Sequence, residues 1–297
     1  MMRHAELVLN ARCAVGESPV WQAGEQALYW VDISARNLHR FNTETQQLST
    51  WQAPEMLACI VPTGTPNQWV AGMETGVFAC KMSDNSNLDC DLLAPVAHTQ
   101  PGMRFNDGRC DRQGRFLAGT MVMNMALASS AGQIYRLEKG GQLTSLLGGF
   151  ITPNGMAFSP DGRIMYLSDS HPSSQLVWAF DYDTTTGTPS NRRVFIDMNH
   201  FAGRPDGAAI DADGCYWICG NDAGAVHRFT PAGKLDTSIS VPVKKPAMCA
   251  FGGANLDTLF ITSIRPDNID LSDQPLAGAL FAINTSVPGI AEPVFEN

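Results

Sequence analysis

Apolar residues along this chain come in short runs, paired across tight turns, with almost no helical periodicity. The clearest pair lies in Thr152–Ser170, TPNGMAFSPDGRIMYLSDS. A short apolar strand follows Asn154, Pro160-Asp161-Gly162 makes the turn, and Ile164–Ser168 alternates as a second strand. The turn residues act differently: proline presets φ, aspartate bonds its own backbone, and glycine takes positive φ. The pattern recurs at Gly16–Asp32 behind Glu17, at Arg104–Met121 behind Asn106 and at Arg204–Asn221 behind Asp206. Asp211-Ala212-Asp213-Gly214 begins like a calcium loop but lacks the later oxygen donors, and reads as a β-turn.

Six second strands can be counted: Ala27–Ile33, Gln68–Met73, Arg115–Met121, Arg163–Ser168, Cys215–Gly220 and Thr258–Ser263. A hairpin follows each, the last over Gly278–Phe295, and an apolar first strand precedes each, less marked at Leu57–Pro62 and Pro246–Phe251. A period of roughly 40–55 residues is that of propeller blades. The expected fold is therefore all-β: a six-bladed β-propeller with four antiparallel strands per blade, occupying 1–297 as a single domain. A pair of β-sandwiches is the runner-up, but it leaves the sixfold regularity unexplained. Ring closure needs a strand borrowed across the chain ends; Glu6–Leu9 is a candidate to pair beside the last blade, near Pro293–Phe295, and the pattern leaves open which blade takes it. The longest irregular stretches, Met123–Gly132 and Arg265–Gly278, fall between second and third strands.

A net charge of −9 argues against a nucleic-acid partner, which calls for a basic stripe. No apolar run approaches the ~18 residues of a membrane span, and the N-terminus lacks a secretory apolar stretch, so a cytoplasmic protein without membrane contact is expected. The eight cysteines form no C-x-x-C pair and read as small buried hydrophobes; Cys215 and Cys219 are given no metal. His39 and His227 hold the same place in two third strands and read as packing residues. His171, at a strand end, is a candidate for the channel mouth, and Met103, Met123 and Met125 for its entrance. A monomer or weak dimer is expected.

In a propeller the first strands run beside the axis in one direction, so residues just ahead of each one gather at one mouth of the channel. Glu17, Asn106, Asn154 and Asp206 are those residues in four units; Ala58 and Ala247 stand near the place in the other two. Carboxylate and amide oxygens without thiolate or imidazole suit a hard cation. Ca²⁺ leads, while Mg²⁺, Mn²⁺ and Zn²⁺ also accept such donors. No G-x-S-x-G elbow, G-x-x-x-x-G-K loop or strand-linked G-x-G-x-x-G occurs, so serine hydrolysis and nucleotide binding lack a signal.

GESPVW at Gly16, RFNDGR at Arg104, TPNGMAFSPDG at Thr152 and RPDGAAIDADG at Arg204 together resemble the regucalcin/gluconolactonase/luciferin-regenerating-enzyme family, in order and spacing over essentially the whole chain. The resemblance implies a six-bladed propeller with one divalent cation in the axial channel. It implies Glu17, Asn154 and Asp206 as ligands, Asp206 also as general base, and Arg104 and Asn106 as substrate contacts. Asn124 stands where some animal members place a substrate-contacting glutamate after the Gly119-Thr120-Met121 run, so contacts in that loop differ here. The implied activity is hydrolysis of a small-molecule sugar lactone to the aldonic acid. Alternatives are a calcium-binding regulatory propeller without turnover, and a phosphotriesterase or aryl-esterase using the same cup.

Overall fold

The computed structural model describes residues 3–296. Six sheets are arranged as the blades of a propeller. Blade one uses Gly16–Gln22, Ala27–Asp32, Asn37–Asn42 and Gln47–Gln52 in order, and blades two to five repeat this plan with consecutive antiparallel strands. The first strands of blades two to six are Cys59–Pro62, Met103–Cys110, Pro153–Phe158, Arg204–Ile210 and Pro246–Gly252. Each packs against the first strands on either side, and the ring closes between Pro246–Gly252 and Gly16–Gln22. First strands are buried almost throughout, whereas fourth strands such as Gln142–Phe150 and Thr188–Asp197 are largely exposed. A first strand has protein on both faces and toward the axis; a fourth strand meets water along its outer edge. Aromatic pairs bind blade to blade, among them Tyr166–Tyr216 at 5.1 Å and Tyr29–Trp69 at 4.6 Å. All eight cysteines are free thiols, and His39 and His227 are buried against Thr50 and Ser238 of the fourth strands, as packing residues.

Blade six departs from the expected hairpin. Its order is Pro246–Gly252, Thr258–Ser263, Leu280–Asn284 and then Glu6–Leu9, which arrives from the other end of the chain as the antiparallel fourth strand. Arg3–His4 also pairs, in parallel, with the outer strand Leu235–Ser240 of blade five. The residues just ahead of blade one thus span two blades and cover both outer edges, which would otherwise stand open. Pro293–Phe295 is not beside Glu6–Leu9. Pro288 and Pro293 have no N–H to give to a ladder. The segment instead crosses the face where first strands turn into second strands. Gly289 bridges Asp211 of blade five, Glu292 pairs with Arg109 of blade three at 3.2 Å, and the Phe295 N–H donates to Pro62 O of blade two at 2.7 Å.

Candidate functional site

In five of the six first strands, pairing with the second strand slips near the start. The slips lie between Glu17 and Val20, Phe105 and Gly108, Asn154 and Ala157, Pro205 and Ala208, and Pro246 and Cys249. A bulge of this kind re-aims side chains while the ladder continues. Ser18 and Gly155, directly after Glu17 and Asn154, take left-handed backbone with φ of 51° and 58°. Gly155 is further constrained by Tyr216, whose hydroxyl donates to Gly155 O at 2.7 Å; a Cβ at Gly155 would lie 2.5 Å from that hydroxyl. The leading residues therefore sit inside the first strands, not ahead of them, because the bulge lets the ladder run past.

Glu17, Asn106 and Asn154 line one narrow cleft at the channel mouth together with Ser18, Ile33, Ala58 and Asp107. Asp206 joins through Asn154, whose Nδ2 donates to Asp206 Oδ1 at 2.6 Å. Asn221 Nδ2 donates to the other oxygen, also at 2.6 Å. Asn106 Nδ2 donates to Pro153 O at 3.1 Å, and its Oδ1 accepts from Arg104 at 2.8 Å. Four different blades thus deliver Glu17, Asn106, Asn154 and Asp206 to one place. Asn124 is exposed, and its Oδ1 accepts from Ala126 N to cap the short helix Met125–Leu127. His171 fastens that loop to blade four: one ring nitrogen pairs with Ser173 Oγ and the other with Met125 O.

Two residues that matter here lay outside the sequence reading. Asp107 directly follows Asn106, and successive side chains of a flat strand point to opposite faces. The bulge turns both onto the cleft. Asp107 Oδ2 accepts from Met156 N at 2.8 Å, while Oδ1 is buried without a partner among the described residues. Asn221 ends the second strand of blade five, and only sheet register brings it beside Asp206.

The electrostatics follow from crowding carboxylates away from water. Burial pushes Glu17 well above the ordinary carboxylate range; repulsion from Asp206 and Asp107 adds to this, and Arg104 opposes it. Burial likewise raises Asp206 to about 7, against the pull of Arg204 and the Asn221 hydrogen bond. Asp107 is raised by burial, and burial lowers Arg104 to about 10 despite Glu17. This all-oxygen, under-neutralised set fits a hard divalent cation: turning the Asn154 amide presents its oxygen beside Asp206 and Glu17. The sign of the pH dependence follows. Folded Asp206 keeps its proton up to about 7, whereas an unfolded aspartate loses it near 3.8, so folding stability falls as pH rises between those values. Metal-free protein is expected to show a lower Tm at about pH 8 than at about pH 5, with a smaller difference in Asp206→Asn, by calorimetry in chelator. An equal or greater drop in Asp206→Asn contradicts the assignment.

A second cluster, Cys13, Asp32 and His39, brings donor atoms within 4.8 Å of one another in blade one. Its groups are already engaged. Asp32 accepts from Ala14 N and Val15 N at 2.7 and 3.0 Å, Cys13 Sγ accepts from Trp30 Nε1, and His39 Nδ1 pairs with Thr50. Asp169 closes blade four in the same way with Ile151 N and Thr152 N, which marks the blade-one corner as structural.

The six-bladed propeller fold is shared with several known proteins. The chain is 38% identical over 292 residues to the 6-deoxy-6-sulfogluconolactonase of Pseudomonas putida, covering 97% of each, and 36% identical over 296 residues to regucalcin of Homo sapiens, covering 96% of each. A solved structure described as a calcium-binding protein, regucalcin, from Agrobacterium tumefaciens superimposes with a TM-score of 0.91 at 27% identity, over 100% of this chain and 98% of that one. A luciferin-regenerating enzyme superimposes with a TM-score of 0.89 at 25% identity, over 96% of each chain. Residues 15–265 match the SMP-30/Gluconolactonase/LRE-like region family, and the chain belongs to it.

Proposed function

We propose that this protein opens a sugar lactone to its aldonic acid with one divalent cation held by Glu17, Asn154 and Asp206. The convergence of those three residues with Asn106 at one channel mouth carries the reading. Bound by Glu17, Asn154 and Asp206, a divalent cation would supply Lewis-acid polarisation of an ester carbonyl and would lower the pKa of a nearby water. Asp206 is the general base: its carboxylate takes a proton from the attacking water. Arg104 and Asn106, bonded to each other, present guanidinium and amide N–H groups that orient ring hydroxyls. The bonds from Glu292 and Phe295 hold a chain segment across the far face, leaving the mouth as the route for substrate.

Ca²⁺ is the proposed cation, in keeping with the regucalcin relatives. The test is a proton-release assay on glucono-, galactono-, xylono- and arabinolactone, an anionic 6-sulfo lactone and paraoxon, with chelator and with Ca²⁺, Mn²⁺, Zn²⁺ or Mg²⁺ restored. The expected result is hydrolysis of at least one lactone, lost with chelator and regained with a cation. Tight Ca²⁺ binding without turnover of any lactone would make the protein a calcium-binding regulator instead. Turnover of paraoxon alone would make it a phosphotriesterase.

A further inference from the structure

We propose that Asn221, held by Arg204, is a positioning residue that decides which oxygen of Asp206 faces the cation; this rests on the reading of Asp206 as ligand and base. The blades provide an internal comparison. In blades one and four the second strand ends in Asp32 and Asp169, whose carboxylates accept from backbone N–H groups of the loop entering their own blade. In blade five the last residue of that strand is Asn221, and it does something else. Its amide is buried and donates to Asp206 Oδ2 at 2.6 Å.

The orientation of that amide is set from behind. Arg204 NH2 lies 3.4 Å from Asn221 Oδ1, and a guanidinium can only donate. A flipped amide would set its oxygen against the Asp206 carboxylate and its NH₂ against Arg204, two repulsive contacts at once. Arg204 is itself pinned: Nε donates to Asp222 Oδ2 at 2.6 Å, NH1 donates to Ser170 O at 2.8 Å, and Lys245 occupies the other oxygen of Asp222. The series Lys245, Asp222, Arg204, Asn221, Asp206 therefore ends on Oδ2, and Oδ1, which accepts from Asn154, is freed for the cation when that amide turns. A neutral donor does this without adding charge to the channel, and such outer partners of a ligand tune affinity and reactivity.

The experiment uses the full chain, Ca²⁺ titration by calorimetry, and gluconolactone kinetics at saturating Ca²⁺. Asn221→Ala is expected to weaken Ca²⁺ binding about 10–100-fold and to lower kcat comparably, with KM little changed. Asn221→Asp is expected to bind Ca²⁺ with altered affinity but to lose the single orientation of Asp206, again lowering kcat. Arg204→Lys leaves Asn221 in place but removes the NH2 contact, and is expected to weaken Ca²⁺ binding in the same direction; it carries the test should Asn221→Ala fail to fold. If Asn221→Ala and Arg204→Lys bind Ca²⁺ as the wild type does while Asp206→Ala does not, the positioning role is overturned and the proposed site stands. If Asp206→Ala also binds Ca²⁺ like the wild type, the site reading falls and the positioning role with it.

Discussion

Asp206→Ala is expected to bind Ca²⁺ far more weakly and, even at saturating cation, to hydrolyse lactone about 10²–10⁴-fold more slowly. Asp206 is held beside the cleft from two sides. Asn154 and Asn221 donate to its two oxygens, and its charge raises the proton affinity of Glu17. Removing it takes away the proposed ligand and the proposed base together. Asp206→Asn separates the two, since the amide keeps an oxygen for the cation but cannot accept the proton. Calorimetric Ca²⁺ titration and initial rates on the same samples read both losses. Full cation-dependent turnover by Asp206→Ala would end the proposed mechanism.

The largest effect on stability is expected at Asp211, outside the cleft. Its carboxylate is wholly buried and accepts from Asp213 N, Cys215 N, Trp217 Nε1 and Arg228 Nε, at 3.0, 2.9, 2.8 and 2.7 Å. Asp211→Ala strips an acceptor from four donors, of which Cys215 N and Trp217 Nε1 are buried, while Arg228 keeps Asp213 and Asp236. A buried donor left without its acceptor costs about 1–3 kcal/mol, so the several lost here amount to about 3–5 kcal/mol. For a chain of this size that lowers Tm by roughly 10 °C in a thermal melt. Asp111 builds the same hub in blade three, with Gln113 N, Arg115 and Tyr182 as donors, so the two sites should respond alike. A fall of under about 2 °C would show that the turn is held by other contacts.

The turns around Asp111 and Asp211 show how far the sequence could be read. Gln113-Gly114 and Asp213-Gly214 announce tight turns because glycine alone accepts their positive φ cheaply, and both glycines adopt φ of 78°. That the preceding aspartates are buried hubs is invisible in the sequence, since Tyr182 reaches Asp111 from the neighbouring blade and Trp217 reaches Asp211 across a strand pairing. The cleft divides in the same manner. Glu17, Asn106, Asn154 and Asp206 could be aligned because each opens a repeat. Asp107 could not, since simple alternation points it away from Asn106, and Asn221 is joined to Asp206 by register alone.

From the sequence alone came the number of blades, their order, the turns and the four residues that converge, because local backbone preference and apolar spacing repeat in every unit. The tertiary structure decided how the ring closes, with Glu6–Leu9 rather than Pro293–Phe295 completing blade six, and which way each side chain points within the channel. Both depend on contacts between residues far apart in the chain, where a one-residue slip in a bulge or an unpaired strand edge changes the outcome without changing any local pattern.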